Sequence, residues 1–316
     1  MEKLLINRIM HHVYTNDFLN HNQFGFTPKE STTDVKMAFT EFVEEGLRQG
    51  LIAIPDSMDV KGAFDTAWWP GIPTTLQDFK CPRNLFYLTK NNLRQRTAVM
   101  TTHTLQVVRD VSKGCPQVSC CGPGLWNIHY SLIGKLEFGK QTKVIAFADD
   151  LLLDVTAESI REAENITNID MNKVLTWAKN NKIKFNENKS KATVISRRKR
   201  KENKDVSIYM NNKILEQAQS IKYLGVIFDS KLNFRHHIMH ISSKCNKLIH
   251  ALSQRNRTGA KQCCPAHCVQ SSIFTTPIIR SAGMEKECNK TIYNRVPRLI
   301  NIKIDKAFRT TSNEAL

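Results

Sequence analysis

The chain has 316 residues, a formal net charge of +17 and an isoelectric point near 9.5, and 41% of it is aliphatic, aromatic or cysteine. That apolar fraction excludes an intrinsically disordered chain, and the length predicts about two domains. No run reaches the length of a transmembrane helix, and the opening MEKLLINRIMHHVY lacks the core and cleavage site of a signal peptide, so an intracellular protein is expected, nuclear or cytoplasmic, not secreted.

In chain order, STTDVKMAFTEFVEEGLRQG predicts a helix: Ser31 and Asp34 form a capping box, Val35, Ala38, Phe39, Phe42 and Leu47 share one face, and Gly50 ends it. LIAI reads as a buried strand, but Pro55 follows before Asp59 is reached. Proline has no N–H for the ladder, so this strand is expected at a sheet edge or interrupted. RNLFYLTKNNLRQR predicts a helix, and TAVMT and LQVVRDV a strand pair around His103. The loop GCPQVSCCGPG then leads into a helix expected from Leu125 to about Phe138.

Residues 144–155, VIAFADDLLLDV, are two apolar runs around Asp149 and Asp150, and predict a buried hairpin with both acids at its bend. Glu158 to Lys179 has helical spacing, with Ile160, Ala163, Ile166, Ile169, Val174 and Trp177 apolar. Short strands are expected in KATVIS, VSIYM, KILEQ and IKYLGVIFD, with a turn at Asn211 and Asn212, and a helix from Phe234 to Ser253. Helices packed on short, mostly antiparallel strands read as α+β.

From Lys179 to Lys204 there are eleven Lys or Arg and only two Glu, which favours a polyanionic partner, nucleic acid or an acidic membrane surface. The membrane reading lacks an apolar amphipathic face beside RRKRK. Residues 258–283 follow neither a helical nor a strand period, and Pro297 interrupts the helical spacing that resumes in NKTIYNRVPRLINIKIDKAF. Nine cysteines, odd in number and unevenly spaced, are expected as free thiols, and Cys263, Cys264, His267 and Cys268 are too crowded for a zinc site.

An acidic pair at a hairpin tip is by itself ordinary turn chemistry. A third carboxylate, Asp59 in SMDVKGAFD, stands at the end of another strand. Two strand ends bearing Asp59, Asp149 and Asp150 suit a pair of Mg²⁺ ions, which take oxygen ligands from one or two carboxylates plus substrate phosphates. Ions roughly 3.5–4 Å apart support in-line phosphoryl displacement, and with the basic stretch this points to a nucleic acid polymerase.

The ordered motifs FGF, DVKGAFD, GCPQ, FADD, WAKNNKIKFNENKSK and KYLGVIFD resemble the reverse transcriptases of non-LTR, LINE-type retrotransposons, from about Gln23 to Ser253. RLINIKIDKAFRTTSNEAL is similar to the region just beyond the thumb in those proteins. The resemblance implies a right-hand polymerase fold: 1–50 partial fingers, 51–230 palm with fingers insertions, 231–257 a thumb-like helix, and 284–316 a connector fragment. The flanks of 258–283 resemble the family and that segment does not, which predicts a reading-frame slip that later corrects itself. The family's upstream endonuclease domain and first fingers segment lie outside this sequence, so a fragment of a longer protein is expected.

The resemblance further implies roles. Asp59 and Asp149 would bind the metal ions, with Asp150 the third acid, and the Val60 carbonyl would lie near the incoming triphosphate. Phe64 falls at the steric gate against a ribose 2′-hydroxyl, or is a core aromatic. Gln117 would line the nucleotide pocket, and Lys189 would approach the triphosphate as a general acid, or is a solvated surface lysine. Tyr223, Leu224 and Gly225 would grip the primer end. Arg197, Arg198, Lys199, Arg200 and Lys201 would contact phosphates without reading sequence, or serve as a nuclear localisation signal. The partners implied are an RNA template, a DNA primer or target and deoxynucleoside triphosphates, with no membrane.

Two departures stand out. Val118 replaces the glycine that usually follows the GCPQ glutamine, which predicts a damaged nucleotide pocket. Relatives also run an unbroken apolar strand into the first aspartate, where this chain has Pro55, Asp56 and Ser57. The expected function is an RNA-directed DNA polymerase with impaired activity, and the alternative is a non-catalytic nucleic acid-binding relic of one.

Overall fold

A computed structural model describes residues 1–103, 105–115, 119–198, 205–244 and 247. Helices interleaved with the strands of the first 180 residues are α1 (Glu2–Thr15), α2 (Thr32–Arg48), α3 (Ala63–Thr66), α4 (Gly71–Asp78), α5 (Arg83–Asn92), α6 (Gly122–Tyr130) and α7 (Ile160–Asn180). The longer strands are β1 (Ile52–Asp59), β2 (Arg96–Thr101), β3 (Gln106–Val111), β4 (Thr142–Phe147) and β5 (Asp150–Ala157). Short ones follow: β6 (Lys191–Ala192), β7 (Tyr209–Met210), β8 (Lys213–Ile214), β9 (Glu216–Gln217), β10 (Ser220–Tyr223) and β11 (Val226–Asp229). The chain divides into two compact units, Met1–Ala218 and Gln219–Leu316.

The first unit is built on a mixed sheet of order β4-β5-β1-β6-β9, antiparallel except for β6 with β9. Residues Met171 and Val174 of α7 share one buried cluster with Leu151, Leu153 and Ala157 of β5. Helix α2 covers the other face: its Gly46 abuts Thr156, and its Ala38 carbonyl accepts from Lys143 Nζ at 3.2 Å. Thr156 and Asp154 alternate with Leu153 along β5, so the two helices lie on opposite sides. α2 begins with the expected capping box, in which Ser31 Oγ accepts from the Asp34 N–H and the Asp34 carboxylate accepts from the Ser31 N–H.

Several expectations need correction. β1 is neither interrupted nor at an edge; it is continuous through Pro55 and pairs with β5 over its whole length, from Ile52 opposite Ala157 to Asp59 opposite Asp150. The reason is register. Ala53 exchanges both backbone bonds with Ile195, and the Pro55 carbonyl accepts from Thr193 N at 3.1 Å, so Pro55 turns its missing donor toward the β6 side. The ladder to β5 uses the alternate residues and loses nothing. The helix expected from Leu125 begins at Gly122, ends at Tyr130 and continues only as a 3-10 turn, Ser131–Lys135. In α7 the apolar period misplaces Ile169, which is 59% exposed, while Thr167 and Asp170 are buried. KATVIS, VSIYM and KILEQ contain only two-residue strands, or two of them in KILEQ, joined around Asn211 and Asn212 in the left-handed region.

IKYLGVIFD is a hairpin, β10–β11, in the second unit. Leu224 (φ 43°) and Gly225 (φ 83°) form its turn, and the second position demands a residue without a Cβ. The helix that follows is seen at 235–244. Gln117, Val118, Lys199, Arg200, Lys201, the cysteine-rich 258–283 and the 284–316 connector lie outside the described residues. The described cysteines, Cys81, Cys115, Cys120 and Cys121, are free thiols. No helix among the described residues is long and apolar enough to cross a membrane.

The strand leading to Asp59 carries one costly residue. Asp56 is fully buried on the α7 side, opposite Leu153, and neither of its carboxyl oxygens has a hydrogen-bond partner. Burial, with the nearby Asp154, pushes its pKa well above the usual carboxylate range. Asp56→Val, a strand-forming apolar residue, should stabilise the protein by about 1–3 kcal/mol at neutral pH, measured by chemical denaturation. Below about pH 4 both folded and unfolded chains hold the proton, whereas at higher pH only the unfolded chain releases it, so the gain should grow as pH rises.

Candidate active site

Asp59 closes β1 and Asp150 opens β5, directly opposite each other. The Asp59 backbone is turned away from β5: its carbonyl accepts from Asn186 N at 2.8 Å and its N–H donates to Ser190 Oγ at 3.2 Å. Asp59 and Asp150 are therefore a non-hydrogen-bonded antiparallel pair, the kind in which side chains stand closest, with Cα atoms about 4.5 Å apart. Asp149 and Ala148 form the two-residue turn between β4 and β5, with Ala148 at φ 56°. The three acids predicted from the sequence thus meet at one end of the sheet. Partial burial raises the Asp150 pKa to about 6, with the negative charges of Asp149 and Asp59 adding to the effect.

The residues that hold these acids were not singled out by the sequence reading. Ser190, fully buried, donates to the Asn186 carbonyl at 2.8 Å while receiving the Asp59 N–H, so the loop 186–190 grips the end of β1. Val60 bridges to Phe185, and Lys61 N donates to the Lys184 carbonyl. On the hairpin side, Trp126 Nε1 donates to the Ala148 carbonyl at 2.9 Å. Phe24 N donates to the Ala146 carbonyl and Asn127 Nδ2 to the Gly25 carbonyl, which seats the FGF segment along β4. Gly25 lies against the Ala148 backbone, and a Cβ there would overlap the Ala148 nitrogen and come within 2.7 Å of its Cα. A glycine between two phenylalanines was the available signal.

Phe64 is half-buried, its ring 5.8 Å from those of both Phe26 and Trp126, so it belongs to the aromatic group that also supports the Asp149 turn. Lys189 reaches Asp59, with Nζ 3.7 Å from Oδ2, and is 68% exposed, so this loose ion pair adds little stability. The Arg198 guanidinium donates to the backbone carbonyls of Gly50 and Glu158, linking the ends of neighbouring elements. Arg197 is exposed. Tyr223, Leu224 and Gly225 are together in the β10–β11 turn of the second unit.

The family described as reverse transcriptase (RNA-dependent DNA polymerase) matches residues 1–228. The chain belongs to this family. It is similar to the RNA-directed DNA polymerase from mobile element jockey of Drosophila melanogaster, 24% identical over 267 residues, which are 81% of this chain and 29% of that protein. It is also similar to the Pol polyprotein from type-1 retrotransposable element R1 of Bradysia coprophila, 25% identical over 230 residues, 73% of this chain and 22% of that protein. The chain is a reverse transcriptase domain of the non-LTR retrotransposon kind, spanning under a third of these relatives. Telomerase from Candida tropicalis, in complex with a fragment of telomeric RNA, aligns with 98% of this chain and 47% of its own at TM-score 0.52 and 10% identity. Apo telomerase from Candida tropicalis, truncated from its C-terminal domain, aligns with 72% and 43% at TM-score 0.51 and 9% identity. The fold is the right-hand polymerase fold.

Reverse transcriptases normally use divalent metals. Among the described residues no three His, Cys, Asp or Glu side chains form a ready-made metal cage. The acids at the sheet end nonetheless suit hard cations: they offer oxygen donors alone, the charges of Asp149 and Asp59 add to the effect of burial on Asp150, and Mg²⁺ is usually completed by substrate phosphates rather than by a closed protein cage.

Replacing Gly25 tests the bracing of the turn. Gly25→Ala should destabilise the protein by about 1–3 kcal/mol in thermal or chemical denaturation, since a backbone segment rather than a flexible side chain must give way.

Proposed function

We propose that this domain catalyses RNA-templated DNA synthesis on a DNA primer from deoxynucleoside triphosphates, with two Mg²⁺ ions held by Asp59, Asp149 and Asp150. The observation that carries the reading is the meeting of three carboxylates at the apposed ends of β1 and β5, in a chain of this family. The bound ions would supply activation of the primer hydroxyl and neutralisation of the leaving pyrophosphate. Asp59 and Asp149 act as the main ligands and Asp150 as the supporting acid, its pKa raised first by burial and then by the neighbouring charges of Asp149 and Asp59, which a cation would offset.

The remaining residues serve substrate. The Val60 carbonyl lies by the triphosphate, Gln117 lines the base-pair pocket, and Lys189, already within 4 Å of Asp59, donates a proton toward pyrophosphate. Phe64 excludes a ribose 2′-hydroxyl; its ring packing against Phe26 and Trp126 supports this, because a gate must not yield. Tyr223, Leu224 and Gly225 hold the primer end, and Arg197 with the basic run after it contacts backbone phosphates.

A second reading, a nucleic acid binder without turnover, is favoured by the uncompensated Asp56 in the strand that aims Asp59. Primer extension on an RNA template with Mg²⁺ separates the two. The expected outcome is extension that Asp149→Ala reduces by about a hundredfold or more, and that Val118→Gly increases. Salt-sensitive RNA binding, with no extension and no response to Asp149→Ala or chelation, would establish the binder instead. Within an active protein, Phe64→Val should raise the use of ribonucleotides relative to deoxyribonucleotides, read from parallel extension assays.

A further inference from the structure

A groove of about 1030 Å³ opens beside α7, at the upper limit of ordinary small-molecule sites and larger than one nucleotide needs. It is formed by the C-terminal half of α7, the segment 182–187 and the β7–β8 turn, and none of Asp59, Asp149 or Asp150 lines it. Four lysines stand on its walls, Lys61, Lys179, Lys182 and Lys184, all exposed. Its one acid, Glu187, is already occupied: its carboxylate accepts from Asn211 and faces Lys61 and Lys213. The floor is apolar, with Ala178, Ile183 and Phe185 each nearly fully buried.

Tyr209 supplies the remaining element. Its backbone N–H is fixed to Asn168 Oδ1 at 2.8 Å while its ring lines the groove and is 48% exposed. An exposed aromatic ring on an anchored backbone, beside four lysines, is the arrangement on which unpaired bases stack while phosphates meet cations. A duplex hides its base faces and has no use for the ring or the apolar floor. A lipid surface cannot enter a concave groove whose apolar atoms lie at its bottom.

We propose that this groove binds a single strand of nucleic acid, apart from the aspartate site and independent of catalysis. It gives the part of the basic stretch near α7 a task that phosphate contacts at a polymerase centre do not require. The inference goes beyond the polymerase reading and does not rest on it.

The test is binding of a fluorescein-labelled oligouridylate of about twelve nucleotides to the whole chain in EDTA, by anisotropy. One variant combines Lys179→Glu, Lys182→Glu and Lys184→Glu; a control of equal charge change combines Lys3→Glu, Lys113→Glu and Lys140→Glu, also exposed. The groove variant should bind at least about tenfold more weakly, with its salt slope reduced by about 0.7 per lysine lost, while the control changes less than about threefold. Tyr209→Ala should weaken binding by about fivefold or more. In parallel, 4-thiouridine crosslinks should map to the peptide carrying Tyr209. Circular dichroism guards against unfolding, and Lys→Gln replacements at the three groove positions repeat the measurement if the Glu variant does not fold. Equal losses in the two charge variants, or crosslinks confined to the peptides of Asp59 and Asp149, overturn the proposal. Extension assays decide the polymerase reading separately, since a protein without turnover still binds here if the groove is real.

Discussion

The register of β1 against β5 makes two carboxylates face each other at the closest spacing an antiparallel sheet offers. Asp59 and Asp150 would relax apart if either strand could slip, but slippage by one residue would turn Asp154 and Thr156 into the buried cluster that Leu151, Leu153 and Ala157 now fill. The side-chain pattern of β5 therefore holds a charge repulsion in place. The loop 186–190 strengthens this by taking both backbone groups of Asp59, which leaves the Asp59 side chain as the part free to act.

Much of this was legible before the structure. The two apolar runs around Asp149 and Asp150 could only be a hairpin, the capping box marked the start of α2, and the two asparagines at 211 and 212 marked a turn. Those signals are local: each depends on neighbours a few residues away. The supports of the site are not. Ser190 meets Asp59, and Trp126 meets Ala148, through single side-chain to backbone bonds across long stretches of chain, and no periodicity announces such a pair. Ile169 failed for a related reason, since an apolar residue at helical spacing says nothing about whether a neighbour covers it.

The expectation at Pro55 fails in an instructive way, while Asp56, the polar residue beside it, is a burden to the strand. Proline was expected to put the strand at an edge or interrupt it because a central strand uses both edges, yet only every second residue points its N–H to a given side, and Pro55 turns its defect toward the short β6. The difficulty in β1 lies one residue on, with a buried carboxyl that must stay protonated. Propensity rules see the ring; they do not see the solvation of the neighbour.

The same dipeptide has a different meaning in time. β1 finds its partner only after β5 has been made, about 90 residues later, an interval of roughly 5–20 s at ordinary rates of synthesis. During that wait the apolar run 51–54 has no partner, and an unpaired run of this kind is the sort of template to which a second chain adds itself. Before folding Asp56 is exposed and ionised, and a proline with a charge beside it is among the features by which strands refuse foreign partners. What burdens the finished sheet protects the nascent one.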